Sequence, residues 1–402
     1  MQWLIDRCAG NADGSNEDGN EKDCQANTGS RLTPGPNDAL IIAGDISHDL
    51  DIIRDTLSTI VDNLQCHTFF IPGNHEAWIG GSKMDDMGLV DSFAKLEKVV
   101  EVCDALGVHT TAKLLVGCSD GDEGDTCNAD DPNIQHAVWI VPMWSWYDGS
   151  LALPGCEDLS SGLASWPWVD FKRCEWGEQY QGMRLQEDTD EVDARFTVPG
   201  CERVPSPELT KLFLSWNEPA LEAARQSSVE NVITFSHFLP SQRCLPDWKV
   251  PSSEQLCREE WLDHPVPDVS AKFAYVAGSD LIDEQLRSVS NEAIRSASSR
   301  IDINRDHIHV FGHSHRPKDF SLDGIRYIHN PVGKPVEREM NMINGDFDFQ
   351  LIWDCREGQI SSEVDIIRYW EEFGGGVELL AQNMAKRRRR RRNQTTTLEK
   401  KV

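Results

Sequence analysis

Phe69-Phe70-Ile71-Pro72-Gly73-Asn74-His75-Glu76 is an apolar run that feeds directly into a Gly-Asn-His loop. The run has the length and composition of a buried strand. Pro72 and Gly73 stop it and open a turn. Asn74 and His75 therefore stand at a strand's carboxyl end, where ligands and catalytic groups gather in open α/β sheets.

The same pattern occurs three more times. Ala39-Leu40-Ile41-Ile42-Ala43 ends in Gly44-Asp45, Val232-Ile233-Thr234-Phe235-Ser236 ends in His237, and Ile308-His309-Val310-Phe311 ends in Gly312-His313-Ser314-His315. Four β-like runs that each deliver Asp, Asn or His at the end point to one convergent site. Oxygen and imidazole donors together suit divalent cations such as Mn, Fe or Zn. Between the runs, residues 49–64 carry Leu50, Ile53, Leu57, Ile60, Val61 and Leu64 at helical spacing, and residues 91–106 repeat the pattern. Helices are also predicted over Pro207–Gln226, where proline suits the first turn, over 279–297 and over 369–385. Strands alternating with such helices predict βαβ units and a largely parallel sheet. Asp323-Gly324 reads as a hairpin turn, and residues 134–147 as a strand whose end, Trp144-Ser145-Trp146-Tyr147, lines either a cleft or the core.

Gly44-Asp45, Gly73-Asn74-His75-Glu76, Ser236-His237 and Gly312-His313-Ser314-His315 resemble, in order and spacing, the motifs of the calcineurin-like metallophosphoesterase superfamily. Val141–Tyr147 and Asp323–Tyr327 resemble segments of a plant, algal and protist branch of it. The resemblance covers roughly residues 38 to 355 and implies a four-layer αββα sandwich with two divalent ions (Mn, Fe, Zn or similar) at strand ends. It implies Asp45 as the bridging ligand, Asn74, His237 and His313 on one ion, His315 with Asp45 on the other, and His75 as general acid to the leaving oxygen. His48 stands where family members carry a residue that orients the catalytic His. Two ions solve the chemical problem of phosphoester hydrolysis: they neutralise the phosphate oxygens and activate water for attack on phosphorus.

The family's first motif, Asp-x-His on a buried strand, is missing: none of the 12 His has an Asp two residues before it. Residues 1–8 then read as the remnant of the helix that follows that strand. A truncated gene model and a genuine loss of one metal site are the two readings. A catalytically inactive phosphoesterase-fold interaction module is the rival to a metallophosphoesterase. The absence of the Arg and Asp-Arg-Gly signatures of protein Ser/Thr phosphatases directs the expectation to a smaller phosphomonoester or phosphodiester.

The chain has 402 residues, 39% hydrophobic, enough for a substantial core. Residues 9–37 read as an acidic disordered insertion, 38–368 as the metallophosphoesterase domain with insertions at 118–133 and 148–206, and 369–402 as a helix followed by an Arg-rich polar tail. Lys386 and Arg387 to Arg392 contribute seven positive charges to a net of −28, which leaves the rest of the chain at −35. A body that acidic repels nucleic-acid phosphate except at a local patch, here Arg387–Arg392. No apolar run reaches the ~18 residues of a membrane span, so no membrane partner is expected. No secretory signal is recognisable, which favours the cytoplasm or nucleus. The 12 Cys include no Cys-x-x-Cys pair, which argues against a zinc ribbon. Pairings of Cys118 with Cys127, or among Cys156, Cys174 and Cys201, are weighed against reduced thiols, which an intracellular chain favours.

Overall fold

A computed structural model describes residues 34–80, 88–116, 137–180, 204–250, 258, 265–290, 306–346, 348–355 and 357–399. The readings for residues 1–8, most of 9–37, the acidic 118–133 insertion and the continuation of the 279–297 helix past 290 lie outside these residues.

The first element is β1 (Ala39–Ile42). Its Gly44-Asp45 loop leads to α1 (Leu50–Leu64), whose side-chain cap Asp49 accepts from the Asp51 N–H. β2 (His67–Phe70) pairs parallel with β1, from Ala39 opposite His67 to Ile42 opposite Phe70. The short α2 (Asn74–Ala77) follows the Pro-Gly turn. α3 (Ser92–Leu106) is capped by Asp91 and ends at Gly107 with φ 70°, the left-handed value that glycine supplies at a helix end. α1 and α3 match the helical spacing read from the sequence to within one residue.

Trp353–Asp354 and Gly358–Gln359 form a small antiparallel pair, and six further strands form one mixed sheet. They are β3 (Lys113–Val116), β4 (Ala137–Met143), β5 (Asn231–Ser236), β6 (His307–Val310), β7 (Lys318–Leu322) and β8 (Ile325–His329), in the spatial order β3-β4-β5-β6-β8-β7. β4, β5, β6 and β8 run parallel, and β3 and β7 are antiparallel edges. Asp323 and Gly324, at φ 50° and 81°, make the predicted hairpin turn between β7 and β8. Further helices are α4 (Asp170–Arg173), α5 (Pro207–Gln226), α6 (Pro267–Ala274), α7 (Asp280–Ser290), α8 (Pro335–Glu339), α9 (Tyr369–Glu372) and α10 (Gly376–Glu399). The molecule is thus a mixed α/β protein with a central mixed sheet and helices.

Strand alternation sorts the core. Phe70 packs with Leu50, Ile53, Leu57, Val99 and Cys103 of α1 and α3. Its neighbours Phe69 and Ile71 point the other way, onto Ile140 and Phe235 of the central sheet. The opposite parity of the central sheet, Val141, Met143, Val232, Ile325 and Tyr327, packs with Phe213 and Leu221 of α5 and Leu286 of α7.

The structure adds to three sequence readings. Trp146 and Tyr147 are buried within that last cluster, so the aromatic end of β4 is core. Residues 148–180, which show no periodicity, nonetheless bury Leu151, Leu153, Leu163 and Trp176; irregular loops bury apolar groups without any repeat to betray them. The final helix does not stop at 385. It breaks at Gly374 and Gly375, restarts at Gly376, and runs through the Arg run to Glu399, because Lys, Arg and Gln are good helix formers and no breaker follows. Cys66, Cys103, Cys156, Cys174, Cys244 and Cys355 are free thiols, so Cys156 and Cys174 do not pair with each other. Among the described residues, no helix is long and apolar enough to cross a membrane.

Candidate metal centre

The strand-end loops reach the site through strained backbone. Asp45, His313 and His315 have φ of 62°, 64° and 54°, the left-handed region that non-glycine residues rarely occupy and that clusters at functional sites. Glu76 joins two of the loops. It is fully buried, and its carboxylate accepts the N–H groups of Asp45 at 2.9 Å, Ser47 at 3.0 Å and Gly73 at 2.7 Å. The Asp45 carboxylate in turn accepts the His75 N–H at 3.1 Å.

Asp45, His237 and His313 bring one ligand atom each to within 4.8 Å of one another. Hydrogen bonds fix which atoms these are. His237 Nδ1 donates to the Ala43 carbonyl at 2.8 Å, so Nε2 carries the lone pair. His313 Nε2 donates to the Val276 carbonyl at 3.0 Å, so Nδ1 carries the lone pair. Asn74 Nδ2 donates to Asp170 Oδ1 at 2.8 Å, which turns Asn74 Oδ1 toward the rings. Asn74 Oδ1, His237 Nε2 and His313 Nδ1 then stand 3.1 Å from one another in all three pairs. Asp45 Oδ1 lies 3.4 Å from His237 Nε2. Four electron-pair donors converge with no proton to share, which is unfavourable unless a cation lies among them. Ligand atoms ~2.1 Å from one ion and adjacent in its shell stand roughly 3 Å apart, the spacing found here. Imidazoles that donate their second N–H to a backbone carbonyl are the usual arrangement of metal-ligating histidines. The donor set therefore fits a divalent cation.

The electrostatics agree. Burial lowers the pKa of His237 and pushes that of His313 well down, so both rings are neutral donors. Burial would raise Asp45, but His237, His75 and His313 outweigh it and hold the carboxyl at about 2, ionised. Burial and the adjacent Asp45 push Glu76 up, against the three N–H groups that it accepts.

The other sequence-predicted residues sit around this cluster. His75 Nε2 lies 3.8 Å from Asp45 Oδ2, and its ring packs against Trp78, tilted by 30° with centroids 3.9 Å apart. His315 lies outside the cluster of three; its Nδ1 donates to Glu337 at 3.2 Å. His48 makes no hydrogen bond to His75. Its ring is 5.9 Å from Trp78, which stands against both histidines, and its carbonyl accepts from Lys95. His307 and His309 face neither solvent nor the cluster; both bond Thr234 Oγ1 at 2.8 Å within the fold.

Two residues that position the ligands were missed in the sequence. Asp170, on α4, accepts from Asn74, from Trp78 Nε1 at 2.6 Å and from Trp168 Nε1 at 2.9 Å. Glu337, on α8, holds His315 and pairs with Arg316 at 3.2 Å. Neither belongs to a motif. The only local hint was Trp168-x-Asp170, a carboxylate beside an indole donor.

Glycine makes room for the centre. A Cβ on Gly73 would stand 2.5 Å from Asp45 Oδ1 and 2.7 Å from His237 Cε1, and one on Gly312 would stand 2.5 Å from the Ala43 carbonyl. Gly73→Ala is expected to lower stability by about 1–3 kcal/mol through overpacking and to weaken metal retention with it. Thermal unfolding and metal analysis of the variant check this; unchanged values for both would refute the close fit.

No family model matches the chain. Over 137 residues it is 28% identical to [acyl-carrier-protein] phosphodiesterase PptH of Mycobacterium tuberculosis, a match covering 32% of this chain and 35% of that protein. The chain is a distant homologue of that phosphodiesterase. The match spans about a third of the length of this curated relative. The crystal structure of phosphopantetheinyl hydrolase (PptH) from Mycobacterium tuberculosis is similar at 20% identity with a TM-score of 0.45, covering 75% of this chain and 82% of that one.

Proposed function

We propose that the chain is a metal-dependent phosphoester hydrolase, a four-layer αββα sandwich of the calcineurin-like metallophosphoesterase type with a dinuclear centre. The observation that carries this reading is the convergence of Asp45, Asn74, His237 and His313 with lone pairs facing lone pairs. Asp45, Asn74, His237 and His313 would hold one ion, and His315 with Asp45 would reach the second. Bound there, divalent ions supply positive charge to the phosphate oxygens and an activated water. The distant phosphodiesterase homologue supports a phosphodiester as the substrate.

His75 is the residue for proton transfer to the leaving oxygen. Burial, partly offset by Asp45, pushes its ring down to about 4, so in the substrate-free chain it is neutral at pH 7. An anionic phosphoester beside it raises its proton affinity, which couples protonation of the acid to substrate binding. The Trp78 ring holds the imidazole plane in place.

The test is hydrolysis of bis(p-nitrophenyl) phosphate by chelator-stripped protein before and after addition of Mn. Activity should appear only with metal. His75→Ala should lower kcat by about 10²–10⁴-fold with metal content unchanged. Metal bound in full with no hydrolysis of mono- or diesters would defeat the enzymatic reading and leave the inactive interaction module.

A further inference from the structure

We propose that the C-terminal half of α10 is a docking element for duplex DNA, held by its phosphate backbone in the major groove. The apolar anchors of the helix lie in its first turns, and Arg388 and Arg389 line a cleft with Pro265 and Val266. Val377, Leu380 and Met384 lie at helical spacing and pack with Met340, Met342 and Trp370; Leu380 is 1% exposed. Beyond Met384 the sequence reads Lys386 then Arg387 to Arg392, and the helix continues through them to Glu399. Arg388, Arg389 and Arg390 are exposed. None of Lys386 to Arg390 has an ion-pair partner among the described residues. Among the described residues these cations stand without a counter-charge, on a chain whose remainder is strongly acidic.

Geometry selects the occupant. Six consecutive arginines at 100° per residue place charge on every side of the helix. A membrane or an acidic protein face meets one side of a helix and would leave about half of those charges in water. A groove walled by phosphate on both sides meets two opposite sides of the helix at once. The B-DNA major groove, about 12 Å wide, admits an α-helix of 10–12 Å diameter, whereas the A-form groove of duplex RNA is deep and narrow. The acidic body does not forbid the approach. Eight residues separate Met384 from Arg392, so at 1.5 Å each the far end stands roughly 12 Å beyond the last apolar anchor, more than the Debye length of about 8 Å at physiological salt.

The experiment is fluorescence anisotropy of the full chain with a labelled duplex DNA of two helical turns, over a salt series. If Lys386 and the six arginines each neutralise a phosphate, log K falls against log salt with a slope of about −6. Substituting Arg387→Gln through Arg392→Gln should weaken binding at least about 100-fold near 50 mM salt and flatten the slope by about 5. Substituting the same six to Lys should preserve binding, since charge rather than guanidinium geometry is the agent. Equal affinity of the Gln variant, loss of binding in the Lys variant, or tighter binding of duplex RNA or phosphatidylserine vesicles than of DNA would each overturn the proposal. Hydrolysis of a small phosphodiester by the Gln variant should equal the parent's; a loss would place the run at the active site and overturn its role as a separate docking element.

Discussion

Asp45→Ala is expected to abolish retention of divalent metal and to lower phosphodiester hydrolysis roughly a thousandfold, about 4 kcal/mol of barrier. Asp45 is the anion of the cluster of three; His237 and His313 are neutral donors. Removing it leaves neutral ligands alone to hold a doubly charged ion in a site closed to most water. Alanine also inherits the left-handed φ of 62°, which tolerates Asn far better than a residue with no polar side chain. Asp45→Asn is therefore the companion variant. It keeps shape and backbone preference and loses only the charge. Metal content by elemental analysis, Mn titration by calorimetry and thermal unfolding form the set of measurements. Full metal occupancy and an unchanged rate in Asp45→Asn would sink the assignment of this carboxylate as the central ligand.

Asp170→Ala should weaken metal affinity about 10–100-fold, the range typical of residues that orient a ligand without touching the ion. Without the carboxylate nothing fixes Asn74 Nδ2, and Asn74 Oδ1 loses its aim at His237 and His313. The indole N–H groups of Trp78 and Trp168, both partly buried, lose their acceptor as well, at a cost of up to about 1 kcal/mol each. A lower melting temperature should accompany the affinity loss. The pH dependence separates this role from simple packing. Burial raises the Asp170 carboxyl to about 6 from its ordinary 3.8. The folded chain therefore holds a proton on Asp170 that the unfolded chain has released between about pH 4 and 6, and this group's contribution to stability falls as pH rises through that window. Asp170→Asn has no such titration, so the difference in stability between parent and variant should change with pH across it. A difference flat from pH 4 to 7 would show that this buried carboxylate does not titrate there.

Much of the site could be read in the linear chain because its signals are local. An apolar run stopped by Gly or Pro is punctuated within a few residues; Asp45, Asn74, His75, His313 and His315 follow such stops, and His237 directly ends an apolar run. α1 and α3 were legible for the same reason: a 3.6-residue repeat lies within one segment. Residues 148–180 gave no such signal. They bury their apolar groups against a scaffold formed by other segments, so their contribution through Asp170 was invisible. Glu337 was hidden likewise, as an acid on a short helix that has meaning only beside His315.

The sequence alone determined the donor types and their places at strand ends, since strand period and turn chemistry depend on neighbours in the chain. Only the tertiary structure decided which atoms of those donors face one another. The Ala43 and Val276 carbonyls choose the lone-pair nitrogen of His237 and of His313, and Asp170 chooses the orientation of Asn74 from 96 residues away. Hydrogen bonds between distant segments leave no periodic trace in a sequence, because what selects them is packing in space.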